Sequence, residues 1–279
     1  MKDLGKSIRA QLLNIAKKEN LAFQLVIIRY MHERLLYRLS LSRFADNFCL
    51  KGAALLYVYS SELTRPTKDI DFLGTNIPNE LSFLVSTFRE ICSVYSPFDA
   101  VEFDIDSVEA VEIAGQDEYP GIRLFVTASL DTIIQRIQVD VGFGDIIIPA
   151  SVQLSYPTLL PGSKVPVIMA YSLETVVAEK FEAMIDLSSV NSRMKDLYDV
   201  YQILTTQQLD QQYLAEAIRE TFRNRNTQYS TDHALFSPSF FTDPNRLRQW
   251  KVFLVKNRLD EKLDFKTVVN LILKQLSSK

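Results

Sequence analysis

The stretch Phe48–Gly74 constrains this chain more than any other: F-C-L-K-G-A-A-L-L-Y-V-Y-S-S-E-L-T-R-P-T-K-D-I-D-F-L-G. An apolar lead, Phe48-Cys49-Leu50, stops at Lys51-Gly52. The apolar run Ala53–Tyr59 reads as a helix, Ser60–Pro66 as a polar turn, and the residues around Asp69–Leu73 as a strand. Side chains alternate along a strand, so Asp69 and Asp71 share one face while Ile70 and Phe72 share the other. Two carboxylates so placed repel each other unless a cation lies between them. Magnesium suits them, because it takes a few carboxylates and fills its shell with water and substrate phosphates. Gly52 lacks a Cβ, so backbone N–H groups at a helix start there can approach a phosphate closely. A phosphate seat at Lys51-Gly52, a short turn and a metal-binding Asp-x-Asp together point to nucleotide chemistry. Alone, an Asp-x-Asp on a solvated strand edge carries no chemistry; order and spacing give it meaning.

The 279 residues are 47% hydrophobic and 23% charged, which suits one large globular domain or two. No apolar run approaches the roughly 20 residues needed to span a bilayer. Met1-Lys2-Asp3-Leu4-Gly5 lacks an apolar signal core, so no membrane association is expected. Cys49 and Cys92 lie among apolar residues without metal-type spacing, which suggests buried thiols in a reducing cytoplasm. The charge is uneven. From Arg219 to Lys279, 12 Lys and Arg stand against 6 Asp and Glu, whereas Met1–Ile218 holds 19 against 28. A basic carboxy-terminal part on an acidic body suits an anionic partner, although on charge alone a solvated helical surface is the simpler account.

Apolar residues recur at helical spacing over 3–19 and 21–39. His32, among Arg29, Glu33 and Arg34, reads as a surface histidine. A helix over Leu81–Ser93 precedes three strands, Val101–Ile105, Val108–Ile113 and Gly121–Leu130, with a turn at Gln116–Pro120. In Arg136–Val141, Ile137, Val139 and Val141 alternate with Arg136, Gln138 and Asp140. Asp140 therefore ends a half-buried strand that can lie beside the Asp-x-Asp strand. A third carboxylate there would help hold a second ion, as in two-metal phosphoryl transfer. A solvated strand-end Asp is the plainer alternative, and the first motif favours the ligand. Asp145, after Gly142-Phe143-Gly144, reads as a turn residue.

One further strand is expected near Val165–Met169. Ser172 is placed to cap a helix over Leu173–Leu187 that buries Val176, Val177, Phe181 and Met184. Lys180 sits beside that apolar face. It can reach a phosphate as a point charge, or pair at the surface with Glu179 or Glu182. In the next helix, begun by Asn191, Asp196 and Asp199 share a face. Their ordinary role would be to favour the helix dipole. Leu209–Arg223, Arg246–Asn257 and Phe265–Leu276 read as helices, and Asn224–Asp243 as a loop with an aromatic patch, Phe236, Phe240 and Phe241.

A small-residue turn, a helix and a strand bearing two aspartates resemble the signature of the nucleotidyltransferase superfamily. More closely, L-K-G-A-A-L…R-P-T-K-D-I-D-F, A-Y-S-L-E-T-V-V-A-E-K and S-R-M-K-D-L-Y-D together resemble the AbiEii/AbiGii toxins of type IV toxin–antitoxin systems. That family usually has a second glycine where this chain has Ala53. The three motifs stand in the family's order and run from about Phe48 to Val200. The resemblance implies an α/β (α+β) nucleotidyltransferase core with a mixed sheet. N-terminal helices (1–44) and a C-terminal helical part (171–279) would flank that core (45–170), with the Lys180 helix docked onto it. Asp69, Asp71 and Asp140 would bind magnesium, two ions being expected. Lys51, Gly52, Thr67 and Lys180 would hold the nucleoside triphosphate, and Asp196 would position Lys180 or support the acceptor. The resemblance also implies a cognate antitoxin and, for some members, nucleotide addition to the 3′ end of tRNA. A protein hydroxyl or a small molecule as acceptor, or a non-catalytic nucleotide-binding module, are the alternatives.

Overall fold

The structure is a computed structural model and describes residues 2–59, 67–113, 121–186, 194–228, 230 and 233–277. The expected turns at Ser60–Pro66 and Gln116–Pro120, and the helix start at Asn191, lie outside these residues. The chain forms two compact units, Met1–Gly144 with Val152–Ala170, and Asp145–Ser151 with Tyr171–Lys279.

The first unit opens with α1 (Lys2–Lys18) and α2 (Phe23–Leu41), followed by β1 (Phe48–Lys51), α3 (Gly52–Leu55), β2 (Asp69–Gly74) and α4 (Leu81–Ser93). Then come β3 (Val101–Glu112), β4 (Ile122–Leu130), β5 (Ile133–Gly142), β6 (Val152–Ser155) and β7 (Val167–Ala170). The strands make one mixed sheet in the order β3-β4-β5-β2-β1-β7-β6. The aspartate strand β2 lies at its centre, antiparallel to β1 and parallel to β5. Its burial alternates: Ile70 and Phe72 are buried, while Asp69 and Asp71 are partly exposed. On the buried face Phe48 lies edge-on to Phe72 and Phe88, at 5.6 and 5.3 Å between ring centroids. Each such ring contributes roughly 1.5–3 kcal/mol by burial, and each pair roughly 0.5–1.5 kcal/mol beyond that.

Three expectations change here. The two strands expected over Val101–Ile113 are a single strand whose register against β4 shifts between Asp104 and Glu109, and that irregularity makes the pattern read as a break. The helix expected over Ala53–Tyr59 is one short turn, α3, followed by a 3-10 turn at Leu56–Val58. His32 is buried, not at the surface, because α2 packs against α1, α4 and the sheet and is covered along most of its length. The charges flanking His32 are drawn inward by partners distant in sequence. Arg38 makes a bidentate pair with Asp99 and donates to the Val101 carbonyl, and Glu33 accepts the Leu159 N–H. β6 has no counterpart among the sequence expectations; its four residues pair with β7.

The second unit is helical: α5 (Leu173–Asp186), α6 (Met194–Thr206), α7 (Gln211–Asn224), α8 (Pro238–Thr242), α9 (Pro244–Asn257) and α10 (Phe265–Leu276). Aspartates start three of these helices. Asp210 accepts from Gln212 and Tyr213, Asp243 from Arg246 and Asp264 from Thr267, each satisfying backbone N–H groups with no intrahelical partner. Ser172 accepts the Thr175 N–H at the start of α5. The segment expected as a loop contains α8, whose Phe240 stacks on Phe265 at 6.0 Å. Trp250 packs against Phe265 and donates to the Leu263 carbonyl at 2.8 Å.

Candidate active site

Four adjacent strands bring four charges into a row. Lys51 on β1 is the register partner of Asp71 on β2, Asp71 of Asp140 on β5, and Asp140 of Arg123 on β4. Register partners share a sheet face, so two carboxylates are flanked by a cation on either side. Asp69, two residues before Asp71, adds a third carboxylate to the same face. One oxygen from each of Asp69, Asp71 and Asp140 lies within 4.8 Å of the other two. Charges so close repel by roughly 1 kcal/mol in bulk water, and by several at a partly buried site.

Each carboxylate is held from a different direction. The Thr67 hydroxyl donates to Asp69 Oδ1 at 2.5 Å. Arg123 grips Asp140 with two parallel bonds, Nε to Oδ1 at 2.8 Å and Nη2 to Oδ2 at 2.7 Å, and Gln138 Nε2 lies 3.2 and 3.3 Å from the same oxygens. That bidentate bond, together with the charges of Asp140, Asp69 and Asp71, raises the Arg123 pKa further despite partial burial. Gly52 closes the other side. Its φ is +67°, and a Cβ built there would stand 2.0 Å from Asp71 Oδ2. Glycine is required here on two counts, backbone conformation and the space Asp71 occupies.

The donor set is entirely carboxylate oxygen, with no sulfur or imidazole, and suits a hard divalent cation such as magnesium or manganese. Asp69, Asp71 and Asp140 therefore stand together as the sequence reading places them. Arg123 and Gln138 were missed. Residues Gly121–Leu130 were read only as a strand, and only the pairing of β4 with β5 shows which carboxylate Arg123 meets.

In the second unit, Lys180 projects from α5 onto α6. Its ammonium donates to Asp196 Oδ1 and Asp199 Oδ2, both at 2.8 Å. All three side chains are largely buried, at 12%, 5% and 2% exposure. Burial alone would lower the Lys180 pKa. The charges and hydrogen bonds of Asp199 and Asp196 outweigh it, and the net shift is upward. Lys180 is thus a fixed cation, two of whose three N–H donors are taken by these aspartates. The surface pairing with Glu179 or Glu182 is not found, because those two turn toward Arg225, which also binds Asp145 at 2.9 Å. Asp199 is the third missed residue; its i+3 spacing from Asp196 gave the shared face but not the shared partner.

MenT4, a nucleotidyltransferase toxin from Mycobacterium tuberculosis H37Rv, has the same fold at a TM-score of 0.53 and 16% identity, over 97% of this chain and 98% of that one. JHP933 from Helicobacter pylori matches at a TM-score of 0.51 and 14% identity, over 92% of each chain. At such identities the likeness is one of fold. No curated protein sequence matches. The sequence model of the nucleotidyl transferase AbiEii toxin, type IV toxin–antitoxin system, matches residues 34–271. The chain belongs to the AbiEii nucleotidyltransferase toxin family, and its membership implies a nucleoside triphosphate substrate and an antitoxin partner.

Proposed function

We propose that this protein is a magnesium-dependent toxin of the cytoplasm that transfers a nucleotidyl group from a nucleoside triphosphate to the 3′ end of tRNA, releasing pyrophosphate. The observation that carries the reading is the carboxylate triad on one sheet face, with Gly52 held against Asp71. Asp69, Asp71 and Asp140 would hold the metal, which when bound would offset negative charge on the phosphate oxygens. Thr67 orients Asp69 through its hydroxyl. Lys51 and Gly52 border Asp71, and backbone N–H groups there would receive the phosphates. Lys180 would serve as a fixed cation for a phosphate, and Asp196 with Asp199 sets its position. Because Lys180 is held charged, its part is electrostatic rather than that of a base. The excess of Lys and Arg beyond Arg219 favours an RNA acceptor over a small molecule.

The test offers each labelled nucleoside triphosphate with purified tRNA, with total cell protein and with a panel of small hydroxyl compounds. Label at the tRNA 3′ end, lost in Asp69→Ala and Asp71→Ala, supports the reading. Label in protein or small molecules alone would move the acceptor elsewhere.

A further inference from the structure

The helix that carries Lys180 is held from a second side. α7 ends at Asn224, and the chain then turns on Asn226, whose φ is +53°. The Thr227 N–H reaches back to the Phe222 carbonyl at 3.0 Å, and the Arg225 N–H to that of Thr221 at 3.0 Å. This helix end, a left-handed residue followed by a long backward bond, fixes Arg225 and Thr227 in place. Both aim at one carboxylate on α5. Arg225 Nη1 donates to Glu182 Oε2 at 2.8 Å, and the Thr227 hydroxyl to Oε1 at 2.5 Å. Arg225 Nη2 also meets Asp145 at 2.9 Å and Glu179 at 3.3 Å. Beside them Phe181 of α5 packs on Phe222 of α7, at 5.7 Å between ring centroids. Glu179 and Glu182, three residues apart, share one face of α5, whereas Lys180, between them in sequence, turns to α6. Glu182 is only 5% exposed, so its charge has to be met where it lies.

We propose that Arg225 is a positioning residue for Lys180: by tying Glu179 and Glu182 to the end of α7, it sets the turn of α5 from which Lys180 projects. The inference rests on the role proposed above for Lys180 and adds a residue that acts through it. Without the guanidinium, Asp145, Glu179 and Glu182 lose the cation they share and repel one another. A shift or roll of α5 relieves that repulsion, and the Lys180 ammonium moves with the helix. A displacement of about 1 Å is enough to cost a reaction roughly a hundredfold in rate.

The test reads Lys180 directly in the full chain, by acetylation with N-hydroxysuccinimide acetate and mass spectrometry at each lysine, beside steady-state kinetics. In the wild type, burial and two aspartates shield Lys180 from the reagent. Arg225→Gln should raise its acetylation severalfold, while the exposed Lys251 and Lys256 react as before. It should lower kcat by roughly tenfold to a hundredfold, with the nucleotide KM little changed. Arg225→Lys, a point charge without the fork, should fall between the two. In a Lys180→Ala background, Arg225→Gln should lower kcat no further, because one residue acts through the other. Unfolding curves establish that each variant folds. If Arg225→Gln does not, the double variant Arg225→Gln with Glu182→Gln, which removes the buried pair together, takes its place with the same expectations. Wild-type acetylation of Lys180 in the folded variant, or an undiminished kcat loss in the Lys180→Ala background, overturns the assignment. A wild type that transfers no nucleotide removes the proposed function instead, and acetylation of Lys180 then decides the role of Arg225 by itself.

Discussion

Lys180 shows how much a single side chain depends on its neighbours. Two aspartates hold its ammonium, so removing either should misplace it while leaving its charge. Lys180→Ala is expected to lower kcat/KM by roughly tenfold to a thousandfold, the scale of losing about 1.4–4 kcal/mol of charge stabilisation. Asp199→Asn should lose less and mainly in kcat, since Asp196 still anchors the ammonium. Steady-state kinetics with varied nucleotide checks both, and wild-type values in Lys180→Ala would return the residue to a structural role. His32 makes a different prediction. Burial lowers its pKa to about 4, against a weaker upward pull from Asp69, and its Nε2 has no hydrogen-bond partner among the described residues. The unfolded chain takes up this proton near pH 6.5, the folded chain only near 4. The stability His32 contributes is therefore present above 6.5 and lost as pH falls toward 4, by about 3 kcal/mol in all. His32→Leu should flatten that decline in chemical unfolding curves between pH 7 and 4; parallel declines would contradict the assignment.

At the scale of elements, the order from β1 to β2 was legible, because alternation in D-I-D-F and the stop at Lys51-Gly52 are local signals. The helices Leu81–Ser93 and Phe265–Leu276 were legible to the residue for the same reason. What strand pairs with what was not. The contact of Arg123 with Asp140 spans 17 residues and depends on register, which no local pattern encodes. The burial of α2 was hidden likewise, since Asp99 and Leu159, which satisfy Arg38 and Glu33, lie 61 and 126 residues away. The β1–α3 junction gives the element-scale prediction. Gly52→Ala places a methyl group on Asp71 and strains a backbone at positive φ. It should cost roughly 1–3 kcal/mol of stability and displace Asp71. The measurement is stability together with manganese affinity. A variant as stable as wild type, with unaltered metal binding, would mean that the junction tolerates a side chain.

At the scale of the molecule, charge is the organising quantity. No helix among the described residues is long and apolar enough to cross a membrane. The helical unit exposes Arg248, Lys251 and Lys256 on α9, whereas Arg246 is partly committed to the Phe240 ring at 4.2 Å. Reversing Arg248, Lys251 and Lys256 to Glu should weaken tRNA binding and flatten its dependence on salt, because fewer counterions are released, while nucleotide affinity is spared. Binding isotherms at several salt concentrations check this, and undiminished affinity at every salt would remove α9 from the acceptor surface.

The proposed role of Asp69 and Asp71 is nucleotidyl, not phosphoryl, transfer to RNA. It is tested most directly by incubating the protein with tRNA, magnesium and nucleoside triphosphates labelled at either the α or the γ phosphate. We expect α label to enter the tRNA, γ label to leave in pyrophosphate, and Asp71→Asn to abolish both. Entry of γ label into the tRNA, or full transfer by Asp71→Asn, would contradict it.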